Sequence, residues 1–353
     1  MFYVGSHRID PAVVLAPMEG ITDRAFRALI RRIGGVGLTV TEFVSSEGLT
    51  RDVQSAWEMA ELDPDEHPVS IQIYGRDPQR MADAARHCEA LGADIVDLNL
   101  GCPSKRVTSG CSGSALMREP ALASEIFAAV RGAIQVPMTV KMRLGWDDHS
   151  LNAADIASRA ACAGAAMITV HARTRQDAYK RPARWELVRS VREAVSLPLL
   201  VNGDIVDAES ARRALQASGA DGVMLGRALR ADPWAIRRTS AGLRGEAFEE
   251  PSLEERRGML RSYVDYLQRE GDFDRRTTNR LRGVLHAFTK GMRYAAALRE
   301  ELHHMKDFEG TMALIDRFFD GAAEGSGAAE EGAVGGGGSA WAAADPCISG
   351  GAA

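Results

Sequence analysis

The chain has 353 residues, 45% of them hydrophobic and 26% charged, with a formal net charge of −5. That balance suits one large globular domain with a smaller appendage. No stretch approaches the roughly 18 uninterrupted apolar residues of a membrane span, the start MFYVGSHRIDP is no secretory leader, and the five cysteines lack a CxxC pair. A cytoplasmic protein without disulfides, metal or membrane anchor is expected.

Over residues 1–230 short apolar runs recur, most of them followed by a stretch with helical spacing. In chain order, VVLAPM (13–18) ends in Pro17, Met18 and Glu19, LTVTEFV (38–44) carries Glu42, and VSIQIYG (69–75) carries Gln72. DPQRMADAARHCEALGA has the Asp-Pro start and Gly stop of a helix. DIVDLNLG (94–101) carries Asn99 and runs into Cys102, a cysteine fixed between Gly101 and Pro103 just past the strand. EPALASEIFAAVRGA is again helical in pattern. PMTVKMRLG (137–145) holds Lys141 and Arg143, MITVHAR (167–173) ends in His171 and Arg173, PLLVNGDI (198–205) in Asn202, Gly203 and Asp204, and GVMLGRA (222–228) in Gly226 and Arg227. Eight such units predict an α/β fold, a (β/α)8 TIM barrel over residues 1–250 rather than an open doubly wound sheet.

A smaller all-helical domain is expected over 251–320, opened by PSLEERR, where Ser252 can cap a helix with Glu255 three residues on. Within it, residues 275–299 hold seven Lys/Arg and no Asp or Glu, so a local basic surface is compatible with the acidic total. The Gly/Ala-rich segment 321–353 cannot bury enough to offset its ordering entropy and is expected to be disordered.

The active face of such a barrel lies at the C-terminal ends of its strands, where these polar residues gather. Lysine inside the apolar MTVKMRL must meet an anion or become neutral. The glycines of the last two strands stand where barrels bind phosphate through backbone N–H groups, with Arg227 as a charged partner. A ligand with a phosphate at one end and a polar ring at the other is implied. Lys141 suits the negative charge of a reduced flavin and Gln72 its hydrogen-bonding edge. Neither GxGxxG after a strand nor GxxxxGK[ST] is present. Spacing leaves FMN and a sugar phosphate both open.

The motifs LAPMEGITDRAFR (15–27), VSIQIYG (69–75), DLNLGCPSKRVTSGCSGSALMREP (97–120), VKMRLGWDD (140–148), ITVHARTR (168–175), LVNGDI (200–205) and GVMLGRALRADPW (222–234) together resemble the tRNA-dihydrouridine synthases, most closely the bacterial B-type branch. The resemblance implies FMN on Pro17, Met18, Glu19, Gln72, Lys141, His171, Asn202, Gly203, Asp204, Gly226 and Arg227. It implies Cys102 as the catalytic acid, Asn99, Lys141 and Arg143 near the uracil, and NADPH as electron donor. It also implies tRNA as partner of a monomer, held by Arg275, Arg276, Arg280, Arg282, Lys290, Arg293 and Arg299. Gly283 and Ala287 depart from the pattern, standing where many relatives have a basic residue and an aromatic. Competing expectations are an FMN reductase of a free small molecule, a Schiff-base lyase using Lys141, and a non-redox RNA-binding barrel.

Overall fold

The computed structural model describes residues 1–326, and in them every apolar run becomes a strand. A short antiparallel hairpin, β1 (Phe2–Val4) and β2 (His7–Ile9), comes first. It is followed by β3 (Val13–Leu15), β4 (Thr39–Ser45), β5 (Val69–Tyr74), β6 (Ile95–Leu100), β7 (Met138–Arg143), β8 (Met167–His171), β9 (Leu199–Asn202) and β10 (Gly222–Leu225). From β4 to β10 each strand pairs in parallel with its sequence neighbours, and β10 returns to β3. The Val14–Leu38 bridge and the bond from Leu15 N–H to Leu38 O (3.0 Å) close the seam between β3 and β4. The (β/α)8 barrel is therefore present as expected.

Period-two alternation sorts each strand into two lanes. The outward lane, including Leu15, Ile71, Leu98, Val140, Val170 and Leu225, is buried against helices such as Pro78–Ala90 and Pro120–Ala133. The inward lane changes character along the barrel axis. It begins apolar, with Val14, Val40, Ile95, Met167 and Leu200 in a cluster of their own. Two residues further on come Gln72, Asp97, Thr139 and Thr169, and then Asn99, Lys141, His171 and Asn202. A buried lane tolerates such polar groups only where they find partners or a ligand.

The β1–β2 hairpin plugs the apolar end. Phe2, Val4 and Ile9 join the inner cluster, and a Cβ on Gly222 would stand 3.0 Å from the Phe2 ring and 2.7 Å from Ala12 O. Sequence periodicity did not reveal this hairpin, because three-residue strands are too short to show a period. The first barrel strand also stops at Leu15 instead of running to Met18. Pro17 has no N–H for a ladder, and Met18 O instead accepts from the N–H groups of Ile21 (3.1 Å) and Thr22 (3.0 Å).

The C-terminal part consists of helices Leu253–Glu270, Arg275–Phe288, Ala295–Leu302 and Phe308–Ser326. Ser252 Oγ accepts from Glu255 N–H at 3.1 Å, the expected cap. Arg280 ties this part to the barrel, lying 2.8 Å from Asp23 and 2.7 Å from Glu270. Tyr266 OH donates to the Asp63 carboxylate (2.6 Å), and Trp234 meets Phe288 with ring centroids 5.9 Å apart. The chain expected to lack structure from residue 321 is helical up to Ser326; the remainder of that segment, Cys347 included, lies outside the described residues. No helix among the described residues is long and apolar enough to cross a membrane.

Candidate active site

At the polar end of the barrel a cleft of about 290 Å³ opens between the loops that follow β3, β8, β9 and β10. Pro17, Met18, Lys141, His171, Asn202, Gly203, Asp204, Gly226 and Arg227 line it, nine of the eleven residues expected there. The other two lie elsewhere. Glu19 turns outward to pair with Arg106, which ties the loop after β3 to the loop that carries Cys102. Gln72 sits behind the cleft in a chain of buried side chains.

That chain runs across β5, β6 and β7. Thr139 Oγ1 donates to Asp97 (2.5 Å), Gln72 Nε2 donates to the other Asp97 oxygen (2.6 Å), and Asn99 Nδ2 donates to Gln72 Oε1 (2.7 Å). Asn99 Oδ1 then accepts from the N–H groups of Gly101 (3.0 Å) and Cys102 (2.9 Å). Every polar group of this relay is spent on fixing the start of the cysteine loop. Asp97 was missed in the sequence, although it stands two residues before Asn99 on the same lane. Burial raises its pKa, with Thr139 and Gln72 opposing.

The Cys102 loop is also locked from the other side. Ser114 Oγ (2.8 Å) and Ser114 N–H (3.2 Å) both donate to Cys102 O. Gly113 has φ +59°, and a Cβ there would lie 3.1 Å from Cys102 O and 3.3 Å from Cys102 Cβ, so the close approach depends on glycine. Burial pushes the Cys102 thiol upward against the opposing Ser104 N–H, Arg143 and Lys141. The sulfur therefore carries its proton near neutral pH.

Lys141 stands beside Asn99 in the ladder. Burial, and next Arg143, push its pKa down to about 8. Among the described residues its ammonium has no hydrogen bond or ion pair, an open demand for an anion. His171 is buried and its pKa lies well below the usual value, through burial and then Arg143 and Lys141, so it is neutral. Its Nε2 lies 3.2 Å from the Arg173 guanidinium, which can only donate; the ring proton is thus assigned to Nδ1.

Arg143 braces two loops through Nε and Nη1, while its Nη2 makes no hydrogen bond among the described residues. Its buried guanidinium donates to the carbonyls of Gly101 (2.7 Å), Thr174 (2.9 Å) and Ala178 (3.2 Å), bracing the loops after β6 and β8. It also lies 5.6 Å from the centroid of Tyr179, a cleft residue that the sequence reading did not assign to the site.

The far end of the cleft is held by Asp204. Its carboxylate accepts from Arg173, from Arg227 (3.0 Å) and from Ala183 N–H (2.8 Å). Burial alone would raise its pKa, but these partners outweigh that and hold it below the usual value. Gly203 has φ +114°, and a Cβ on it would stand 2.9 Å from the His171 ring. The N–H groups of Gly203 and Gly226 donate to no acceptor among the described residues and border the cleft. Arg227 stacks 4.5 Å from the Tyr179 centroid and remains half exposed. The arrangement offers an anion backbone donors and a cation at one end, and at the other the Lys141 ammonium, unpaired among the described residues; Cys102 does not line the cleft itself but follows Asn99, the ladder neighbour of Lys141.

The seven basic residues of the helical part do not form one group. Arg280 is consumed by its two carboxylates, and Arg282 lies against His303 and Asn279. Arg275, Lys290 and Arg293 are exposed, as is Arg276, 4.0 Å from Glu58; Arg299 is half-buried.

A family model described as dihydrouridine synthase (Dus) matches residues 14–323. A probable tRNA-dihydrouridine synthase of Rhodobacter capsulatus is 44% identical over 316 residues, 89% of this chain and 96% of that protein. One from Rickettsia typhi is 42% identical over 75% of this chain and 81% of its own length. The tRNA-dihydrouridine synthase B of Pseudomonas putida is 40% identical over 74% of this chain and 77% of its own.

Proposed function

The chain belongs to the dihydrouridine synthase family, and on that premise we propose that it is an FMN-dependent, NADPH-driven tRNA-dihydrouridine synthase that saturates the C5–C6 double bond of a uridine, with Cys102 as proton donor. The observation that carries this reading is that Lys141, a half-buried ammonium without a hydrogen-bond or ion-pair partner among the described residues, interacts electrostatically with Cys102, a thiol that burial keeps protonated.

The donor set fits FMN. The N–H groups of Gly203 and Gly226 with Arg227 suit its phosphate, and Lys141, His171 and Asn202 suit its ring. Pro17, Met18 and Asp204 complete the walls, while Glu19 and Gln72 support the loops from outside the cleft. When bound, FMN supplies the hydride that goes to C6 of the uracil. Lys141 offsets negative charge in the cleft, and Cys102 Sγ–H delivers a proton to C5, so the added hydride and proton balance the reduced bond. Asn99 sets the position of Cys102 through its N–H, and Arg143 holds the walls of the same pocket. Arg275, Arg276, Arg282, Lys290, Arg293 and Arg299 supply the basic face for tRNA; Arg280 is left out because its charge is already paired. The enzyme is read as a cytoplasmic monomer of the B-type branch.

The test is anaerobic. Holoprotein is reduced with NADPH, freed of excess, and mixed with unmodified tRNA while the flavin spectrum is followed. Reoxidation by tRNA but not by free uridine or orotate is the expected result. A reducible flavin that responds only to a small acceptor overturns the RNA substrate, and borohydride trapping of substrate on a flavin-free protein would turn the reading to Lys141 as a Schiff-base former.

A further inference from the structure

A second cavity, of about 450 Å³ and open to solvent, lies outside the cleft, between the end of the Cys102 loop and the loop after β7. Its floor is Trp146, whose position is fixed by backbone bonds: Gln176 N–H donates to Trp146 O (2.9 Å) and Arg175 N–H to Gly145 O (2.9 Å). Two guanidinium groups stack on this ring, Arg118 at 4.8 Å and Arg175 at 4.6 Å from its centroid. Neither arginine has a carboxylate partner among the described residues, unlike most arginines on this protein. Asp147, the acid at this cavity, accepts through Oδ1 alone, from Ser150 Oγ (2.7 Å) and His149 N–H (3.0 Å), so two guanidinium groups stand against one carboxylate here.

One buried polar atom of the lining, Asn152 Oδ1, has no partner among the described residues, and neither has Nε of Arg175, which stacks on Trp146 without lining the cavity itself. Asn152 otherwise donates through Nδ2 to Met117 O (2.6 Å), which pins the end of the Cys102 loop to the cavity wall. Unpaired guanidinium groups preorganised on an aromatic ring are a recognition surface for phosphate oxygens and for the face of a base.

The position identifies which polyanion. The cavity lies beyond the C-terminal end of β7, on the same rim as the reacting groups. The helical part instead packs beside β3, β4 and β10, through Arg280 on Asp23 and Tyr266 on Asp63. Around the barrel, β7 is four strands from β3 and three from β10. A nucleic-acid strand that lies on the helical part and offers a base to Cys102 crosses the mouth and leaves it on the Trp146 side.

We propose that the cavity lined by Arg118 and Trp146, with Arg175 stacked on the same ring, binds a nucleotide of the RNA substrate on the rim opposite the helical part, through its phosphate and base face, so that the reacting uridine is held from both sides. This rests on the reading of the protein as a tRNA-dihydrouridine synthase.

The test compares the FMN-loaded wild type with Arg118→Gln, Arg175→Gln and the double variant, using unmodified tRNA at several salt concentrations. Arg118 is exposed, so its replacement leaves the fold intact; an unchanged melting temperature checks this for both. Each single variant is expected to bind tRNA about three- to tenfold more weakly, and the slope of log affinity against log salt to fall by about one for each phosphate no longer neutralised. Flavin reduction by NADPH should be unchanged. Wild-type affinity and slope in the double variant overturn the proposal, as does a raised KM for NADPH with tRNA binding intact, which would give the cavity to the reductant. Failure of the wild type to bind or be reoxidised by tRNA is a separate result: it removes the functional reading, and this inference with it.

Discussion

At the Asp204 end of the cleft the charges are partnered: one carboxylate accepts from Arg173, Arg227 and a backbone N–H. At the Lys141 end the ammonium has no hydrogen-bond or ion-pair partner among the described residues, and the Cys102 thiol is held in its neutral form by burial. The first end is preorganised and stable before any ligand arrives. The second stores an unmet demand, which a ligand or a transition state can satisfy. Substitutions should therefore change rate at one end and stability at both, with opposite signs.

The largest effect is expected from Cys102→Ala. Reduction of tRNA should slow by about 10²- to 10⁴-fold, the usual contribution of a positioned acid, while FMN content and flavin reduction by NADPH stay at wild-type levels. Stopped-flow measurement of the two half-reactions decides it; equal loss in both would remove the acid role.

Next comes Asp204→Ala, which leaves the buried guanidinium of Arg173 without its carboxylate. A loss of about 2–4 kcal/mol in unfolding free energy is expected from denaturant titration of the FMN-free protein. Wild-type stability would break the contrast between the two ends.

The smallest effect has the opposite sign. Lys141→Met should stabilise the FMN-free protein at pH 7 by about 1 kcal/mol, because it removes a half-buried charge that has no partner among the described residues. The folded-state pKa of Lys141 is about 8, below its ordinary value of 10.5. Keeping that charge therefore costs the wild type stability below pH 8, and the cost disappears as pH rises from about 8 to 10.5. Melting curves of the two proteins should converge over that window, while the variant binds FMN more weakly at pH 7. A variant less stable than the wild type at pH 7 would mean that Lys141 is already satisfied.

The barrel was legible because its strands are buried on both faces and so read as apolar runs of the right length. The polar interruptions in those runs were legible too, since Lys141, His171 and Asn202 fall on the inward lane at the same end. Orientation was harder to read. Arg143 and Glu19 stand at the right places in the chain, but one also braces three loop carbonyls and the other pairs with Arg106, partners that only the folded loops bring near. Arg280 sits in a run of cations without a local acid, yet its partners, Asp23 and Glu270, come from other elements. Asp97 could have been found by applying period two to Asn99; Tyr179 and the Arg118–Trp146–Arg175 cluster arise from loop packing that no periodicity encodes.

Among the described residues the β1–β2 plug closes the apolar end of the barrel and leaves the polar end as the way into the cleft. On the function proposed above, a reductant that enters the cleft leaves by the same end before something as bulky as a folded RNA takes its place. Traffic through one opening implies turns rather than joint occupancy: double-reciprocal plots against the two substrates should be parallel lines, and excess of either should inhibit by standing in the doorway.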